Sequence, residues 1–181
     1  LSLPPCPLGS GRQSLSNVQW LGLRGDSDEF AELLPLYFQR LMEHLRLRSW
    51  IFNPSYFVWD EPAPQALSTV AYLADLVRQG SAEVQRVLSD RPRPELYGKI
   101  ERWDLNLRQL YLTESLLNEI RERQAAGEVV RAYDNNRYHL GYPLTYQRSW
   151  SWLLARYGLG GSGWFMVLVF SPAGRHLYEN P

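Results

Sequence analysis

The chain is short of the residues that most often announce chemistry. Cysteine occurs once, at Cys6, and histidine three times, at His44, His139 and His176. One cysteine forms no internal disulfide, and with so few ligands a structural zinc site is not expected. The redox compartment is left open by that count. Neither sign of charge is in excess, with 19 basic residues against 19 acidic. A balanced chain carries no electrostatic footprint for nucleic acid, so no nucleic-acid partner is expected. G-x-S-x-G, the P-loop, H-E-x-x-H and spaced cysteine pairs are all missing. The glycine run at 158–163 lacks the Lys-Ser/Thr of a P-loop, and the segment before it reads as helix rather than strand. No catalytic residue, cofactor or metal site is therefore expected.

What is abundant is aromatic surface, at 13% of residues with seven tryptophans and eleven tyrosines. Many fall in apparent loops, such as Tyr56, Phe57 and Trp59, or Tyr138, Tyr142 and Tyr146. Such rings serve cores and protein interfaces alike. The 181 residues suffice for one domain with a core and a tail or two. The chain does not begin with Met, which leaves a removed targeting segment open.

Three regions emerge from the pattern. Residues 1–25 are rich in Pro, Gly and Ser and read as an extended arm. Residues 26–133 read as a helical domain. Its first helix runs from Asp26 to about Arg48, with Leu34, Phe38, Leu41 and Leu45 on one stripe and Pro35 as a kink or start. Residues 49–64 form an aromatic connection. The second helix spans about Ala63–Gln79, with Ala66, Val70, Leu73 and Val77 on one face, and Ser81 caps a short third helix through Leu88. Leu96, Ile100, Trp103, Leu107 and Leu110, spaced four, three, four and three, predict a long helix from Glu95 to about Leu112. Thr113 caps a further helix to about Ala126, with an extension to Tyr133 left open.

Residues 134–181 hold an aromatic loop, an apolar segment and a tail. The segment 149–170 has the length of a membrane span if Arg156 and four glycines are accepted. Two readings stand side by side. One is a span or re-entrant insertion with lipid contact. The other is a short helix from Trp150 to Tyr157, a glycine turn and a buried segment from Trp164 to Phe170.

Titratable residues have structural explanations. Glu43 and His44 sit among arginines on the first helix, where pairing or solvation is the ordinary role. Asp28, Glu29 and Glu32 crowd a helix start that favours acids. Asp104 and Arg108 have the i,i+4 spacing of a helix-face pair. His139 lies among loop tyrosines, and His176 lies in the tail.

One stretch carries a family resemblance. Pro94, Leu96 and Tyr97 are followed by Lys99, Ile100 and Arg102, then Asp104, Leu105, Asn106 and Arg108, and later by the run from Glu119 to Arg123. In that order these residues resemble the small matrix-side helical subunit of ubiquinol–cytochrome c reductase, the ubiquinone-binding protein family of respiratory complex III. The likeness covers residues 83–123. The family separates its Arg and Asp by two residues, whereas only Trp103 stands between Arg102 and Asp104 here. The resemblance implies a mainly α, irregular multi-helix fold and a non-catalytic accessory subunit on the matrix side of the mitochondrial inner membrane. Cytochrome b and the core subunits would then be its partners. An accessory subunit of complex I or ATP synthase is the neighbouring alternative, and a soluble helical enzyme or ligand-binding domain is the alternative of another class.

Overall fold

The computed structural model describes residues 4–50, 53–106, 113–134 and 144–164. Among them strand and helix alternate along the chain. Strand β1 (Gly9–Ser10) is followed by a small antiparallel pair, β2 (Gln19–Trp20) and β3 (Leu23–Arg24), then helix α1 (Asp28–Leu47). Strand β4 (Ser55–Asp60), helix α2 (Leu67–Gly80) and strand β5 (Gln85–Ser89) come next. Strand β6 (Arg102–Asn106), helix α3 (Glu114–Ala125), strand β7 (Val129–Asp134), helix α4 (Leu144–Tyr157) and strand β8 (Ser162–Trp164) complete the order. Six strands pair in parallel, in the order β1-β4-β5-β6-β7-β8. The chain is α/β, and the expectation of a mainly α fold is overturned.

The helical readings divide sharply. α1 begins at Asp28, just past the expected start, and its cap is Ser27 rather than Asp26, with the Ser27 hydroxyl accepting from Phe30 N at 3.2 Å and with Asp28 and Glu29 in the first turn. Its buried stripe is Phe30, Leu34, Phe38 and Met42, a strict i,i+4 row, so Leu41 and Leu45 lie beside the seam rather than on it. Pro35 lies inside α1, and its carbonyl faces the end of α2. A Cβ at Gly80 would stand 2.4 Å from that carbonyl oxygen, so glycine sets the closeness of the crossing. α2 buries Val70, Leu73 and Val77 with Ala66 just before it, as its periodicity predicts. α3 is capped by Thr113, whose hydroxyl accepts from Leu116 N at 3.3 Å, and stops at Gly127, whose φ of +90° suits only glycine without strain.

Four expected helical or loop segments are strands instead. The short helix from Ser81 to Leu88 is the strand β5. The extension past Gly127 is β7, and the aromatic connection at 49–64 contains β4. The long helix from Glu95 is a single 3-10 turn, Pro94–Leu96, followed by β6. Gly98, with φ +74°, turns the chain between them. Leu96, Ile100 and Trp103 are all fully buried, so the apolar positions were read correctly and their period was not. Arg108, Leu107 and Leu110 lie outside the described residues. Residues 149–164 do not form one continuous helix. α4 ends at Tyr157, Gly158 has φ +66°, and β8 follows. Among the described residues no helix is long and apolar enough to cross a membrane. Residues 165–170 fall outside them. The N-terminal arm supplies the edge strand β1, a 3-10 turn at Leu15–Asn17 and the hairpin β2–β3.

The parallel sheet is two-faced. Each new strand is added on the same side of the last, so right-handed crossovers put the helices on one face. That face is apolar. Tyr56 meets Phe38 of α1 edge-on at 4.8 Å between ring centroids, and Trp103 meets Tyr97 at 6.4 Å. In register with them stand Arg86, Leu88 and Val130. Arg86 is buried there and ion-pairs with Glu101, while its Nε donates to Lys99 O at 2.8 Å. The opposite face carries Ser89, Arg102, Asp104, Asn106, Arg131 and Tyr133. All-parallel sheets usually read as continuous apolar runs because both faces are covered. Here Phe57, Val87 and Val129 share the second face with these residues, and the polar side chains of that face gather towards the carboxyl ends of the strands.

Candidate functional site

The polar face ends in a cluster at the carboxyl ends of the strands. β4 forms because Tyr56, Phe57, Val58 and Trp59 are aromatic or β-branched, and Pro54 and Pro62 bound it. Its last residue is Asp60, and Glu61 follows immediately. Pairing with β5 slips by one residue inside β4. Phe57 faces Val87, whereas Trp59 faces Leu88 and Asp60 faces Ser89. This bulge at Val58 has a direct consequence. Without it, strict alternation would turn Asp60 towards the helices. With it, Trp59 turns to the helix side and Asp60 joins Ser89 on the polar face. Trp59 then lies over Gly9 of β1, where an added Cβ would come within 2.4 Å of the ring.

Ser89 Oγ donates to Asp60 Oδ1 at 2.5 Å. Glu61 N donates to Ser89 Oγ at 3.0 Å and to Ser89 O at 3.1 Å. Glu61 has φ +44°, a left-handed backbone that a glutamate adopts only under constraint. That turn sends its side chain across β5. Glu61 Oε1 accepts from Asn106 Nδ2 of β6 at 2.8 Å and from the Tyr133 hydroxyl of β7 at 2.6 Å. Asn106 and Tyr133 are direct register partners, which brings both donors to one oxygen. Asn106 is buried. The Tyr133 phenol is pushed well above its ordinary pKa by burial first, and then by its bond to the Glu61 carboxylate. It therefore stays a protonated donor through neutral and moderately alkaline pH. Gly11 N donates to Asp60 O at 2.8 Å, so the loop after β1 closes on the same corner.

One layer towards the middle of the sheet, Asp104 accepts from Arg102 Nη2 at 3.1 Å, and Arg131 Nε stands 4.0 Å from its other oxygen. Asp104 therefore belongs to an ion cluster on the face of a strand, and Arg108, its expected partner, lies outside the described residues. A basin of about 650 Å³ lies at the other end of this face, lined in part by Gln85, Arg102 and Arg131. A second hollow, apolar and of about 530 Å³, runs along α1 between Trp20, Leu36 and Tyr37.

The residues weighed from sequence do not converge. Asp28 and Glu29 occupy the first turn of α1, and Glu43 bonds Arg40 at 2.9 Å. His44 lies edge-on to Trp50 near the end of α1. Arg156 is exposed on α4. His139 and His176 lie outside the described residues, within which no group of three His, Cys, Asp or Glu side chains gathers as for a metal ion. The cluster that does converge, Asp60, Glu61, Ser89, Asn106 and Tyr133, was not singled out. Its signal was the run from Tyr56 to Glu61, a β-forming stretch ending on two carboxylates. In open parallel α/β sheets and barrels, sites gather at the carboxyl ends of strands. The stretch behind the complex III resemblance is a 3-10 turn and strand here, followed by α3. No protein-family model and no curated protein matches the chain.

Proposed function

We propose that the chain is a hydrolase of the acid–base type, acting on a glycosidic bond, with Asp60 and Glu61 as its working carboxylates. One observation carries the reading. Two consecutive carboxylates end a parallel strand and are held by side chains from the next three strands in the sheet. Glu61 Oε1 is occupied by two donors, which leaves Oε2 for a ligand. The surrounding groups are hydroxyl, amide and carboxylate, the set that recognises a hydroxylated substrate. Ser89 has no histidine beside it among the described residues and gives its proton to Asp60, so it is not arranged as an acyl-transfer nucleophile.

Glycoside cleavage needs a pair of carboxyl groups. One donates a proton to the bridging oxygen as the C–O bond breaks. The other stabilises the positive charge on the sugar carbon or takes the proton of the incoming water. The products are a free hydroxyl and a hemiacetal, so the elements of one water are added and nothing is oxidised.

The competing proposal is the one drawn from residues 83–123, a non-catalytic accessory subunit of a respiratory complex on the inner membrane. The apolar hollow on α1 supports it, with Leu21 and Leu36 about half exposed (51% and 46%), because such surface suits a protein partner. The two proposals separate on Asp60→Asn and Glu61→Gln, assayed on aryl glycosides and on reducing-end release from oligosaccharides. Loss of turnover in both variants, with the fold intact, favours the hydrolase. No turnover by the unaltered chain favours the subunit.

A further inference from the structure

We propose that Ser89 is a positioning residue that locks the two carboxylates against each other. The inference rests on the hydrolase reading. Its basis is a pair of hydrogen bonds that meet at one hydroxyl. Glu61 N–H can only donate, and Asp60 Oδ1 accepts from the Ser89 hydroxyl. The single hydroxyl between them accepts from Glu61 N, at 3.0 Å, and donates to Asp60 Oδ1, at 2.5 Å. Ser89 is buried at 4% exposure, so no water readily substitutes for it.

The same bonds explain the backbone of Glu61. A left-handed glutamate is costly, and it persists only where its surroundings over-determine it. Ser89 supplies both acceptors for Glu61 N, its own carbonyl and its hydroxyl. Asp60 ends β4 and Glu61 follows it, yet what sets their relative placement is a side chain on the next strand. Asn106 and Tyr133 fix the far end of Glu61, and Ser89 fixes its root. Ser89 acts through the Asp60 carboxylate and the Glu61 backbone.

The test uses the whole chain and two variants, Ser89→Ala, which removes the hydroxyl, and Ser89→Thr, which keeps it. Melting curves first establish that each is folded. Carboxyl accessibility is then read by water-soluble carbodiimide with glycine ethyl ester, quantified at Asp60 and Glu61 by peptide mass spectrometry. Turnover is read on 4-nitrophenyl glycosides, with kcat and KM resolved across pH. In Ser89→Ala, labelling of Asp60 should rise about fivefold, as loss of one net hydrogen bond implies. Its kcat should fall about tenfold to a hundredfold with KM nearly unchanged, the signature of displaced reacting groups. Its pH–rate profile should shift, and Ser89→Thr should restore most of both readouts. Equal labelling of Asp60 in Ser89→Ala and the unaltered chain overturns the proposal, whether or not a glycoside is turned over. So does an unchanged kcat where Glu61→Gln is inactive. Activity that survives Glu61→Gln sinks the hydrolase reading itself, and the labelling result still decides whether Ser89 locks the pair.

Discussion

Replacing Tyr133 by Phe removes one oxygen and leaves the ring, so it isolates a single hydrogen bond without opening a cavity. The lost bond runs from the phenol to Glu61 Oε1 at 2.6 Å. Bonds to charged groups contribute about 1.5–3 kcal/mol net. Asn106 continues to donate to the same oxygen, and Tyr133 is only partly buried, so the lower part of that range applies. Urea unfolding at pH 7 should show a loss of about 1–2 kcal/mol. The pH dependence gives a sharper check. Burial and the Glu61 bond raise the phenol above its unfolded value. A raised folded pKa contributes stability that is complete below the unfolded pKa, about 10 for tyrosine, and that fades as pH climbs above it. The unaltered chain should lose that stability above about pH 10, and Tyr133→Phe cannot, so the difference between them should shrink there. A difference below about 0.3 kcal/mol at pH 7, within ordinary surface scatter, would refute the bond. A difference that widens with alkaline pH would refute the sign.

Other substitutions probe the frame around the site. Gly9→Ala should lower stability by about 1–3 kcal/mol, because its methyl must displace the Trp59 ring. A melting temperature equal to that of the unaltered chain would show that Trp59 does not lie over β1. Trp103→Ala should cost about 3–5 kcal/mol, since the ring is fully buried. Its Nε1 also donates to Glu128 Oε2 at 2.6 Å, a bond the change removes while Glu128 keeps Arg123 at 3.5 Å from its other oxygen. Denaturant titration checks this, and a cost under about 1 kcal/mol would contradict the packing. Tyr97, raised to about 12 by burial and by its bond to Glu119, adds a second alkaline loss of the same sign as Tyr133. Tyr97→Phe should therefore flatten the fall in stability above pH 10, and an unchanged slope would show that this bond does not form.

How much of this was legible turns on period. α1, α2 and α3 could be read because each has a clear i,i+4 face, and Thr113 caps α3 as its position predicts, whereas the α1 cap is Ser27 and not Asp26. β6 was misread because its apolar residues extend a stripe begun by Leu96 and Ile100, which are placed by a turn. Across 102–106 alone, Trp103 and Leu105 alternate with Arg102, Asp104 and Asn106, the pattern of a half-polar strand. β5, β4 and β7 are five or six residues long, and runs that short fit helix and strand alike. The candidate site was harder still. Its five side chains come from the ends of four strands, and spacing along the chain says nothing of their meeting. The Val58 bulge, which aims Asp60, leaves no mark in the composition. Only the pair Asp60–Glu61 at the end of a β-forming run was visible, and it gained meaning once the sheet was seen to be parallel.

The central claim is that Asp60 and Glu61 form an acid–base pair for glycoside cleavage. Its most direct test is the initial rate of the unaltered chain and of Glu61→Gln on the same panel of aryl glycosides and oligosaccharides, with folding checked by circular dichroism. The account predicts turnover by the unaltered chain and a loss of about a hundredfold or more in the variant, the scale of a lost general acid or base. Absence of turnover across the panel, or a Glu61→Gln rate within about a factor of two of the unaltered chain, would contradict it.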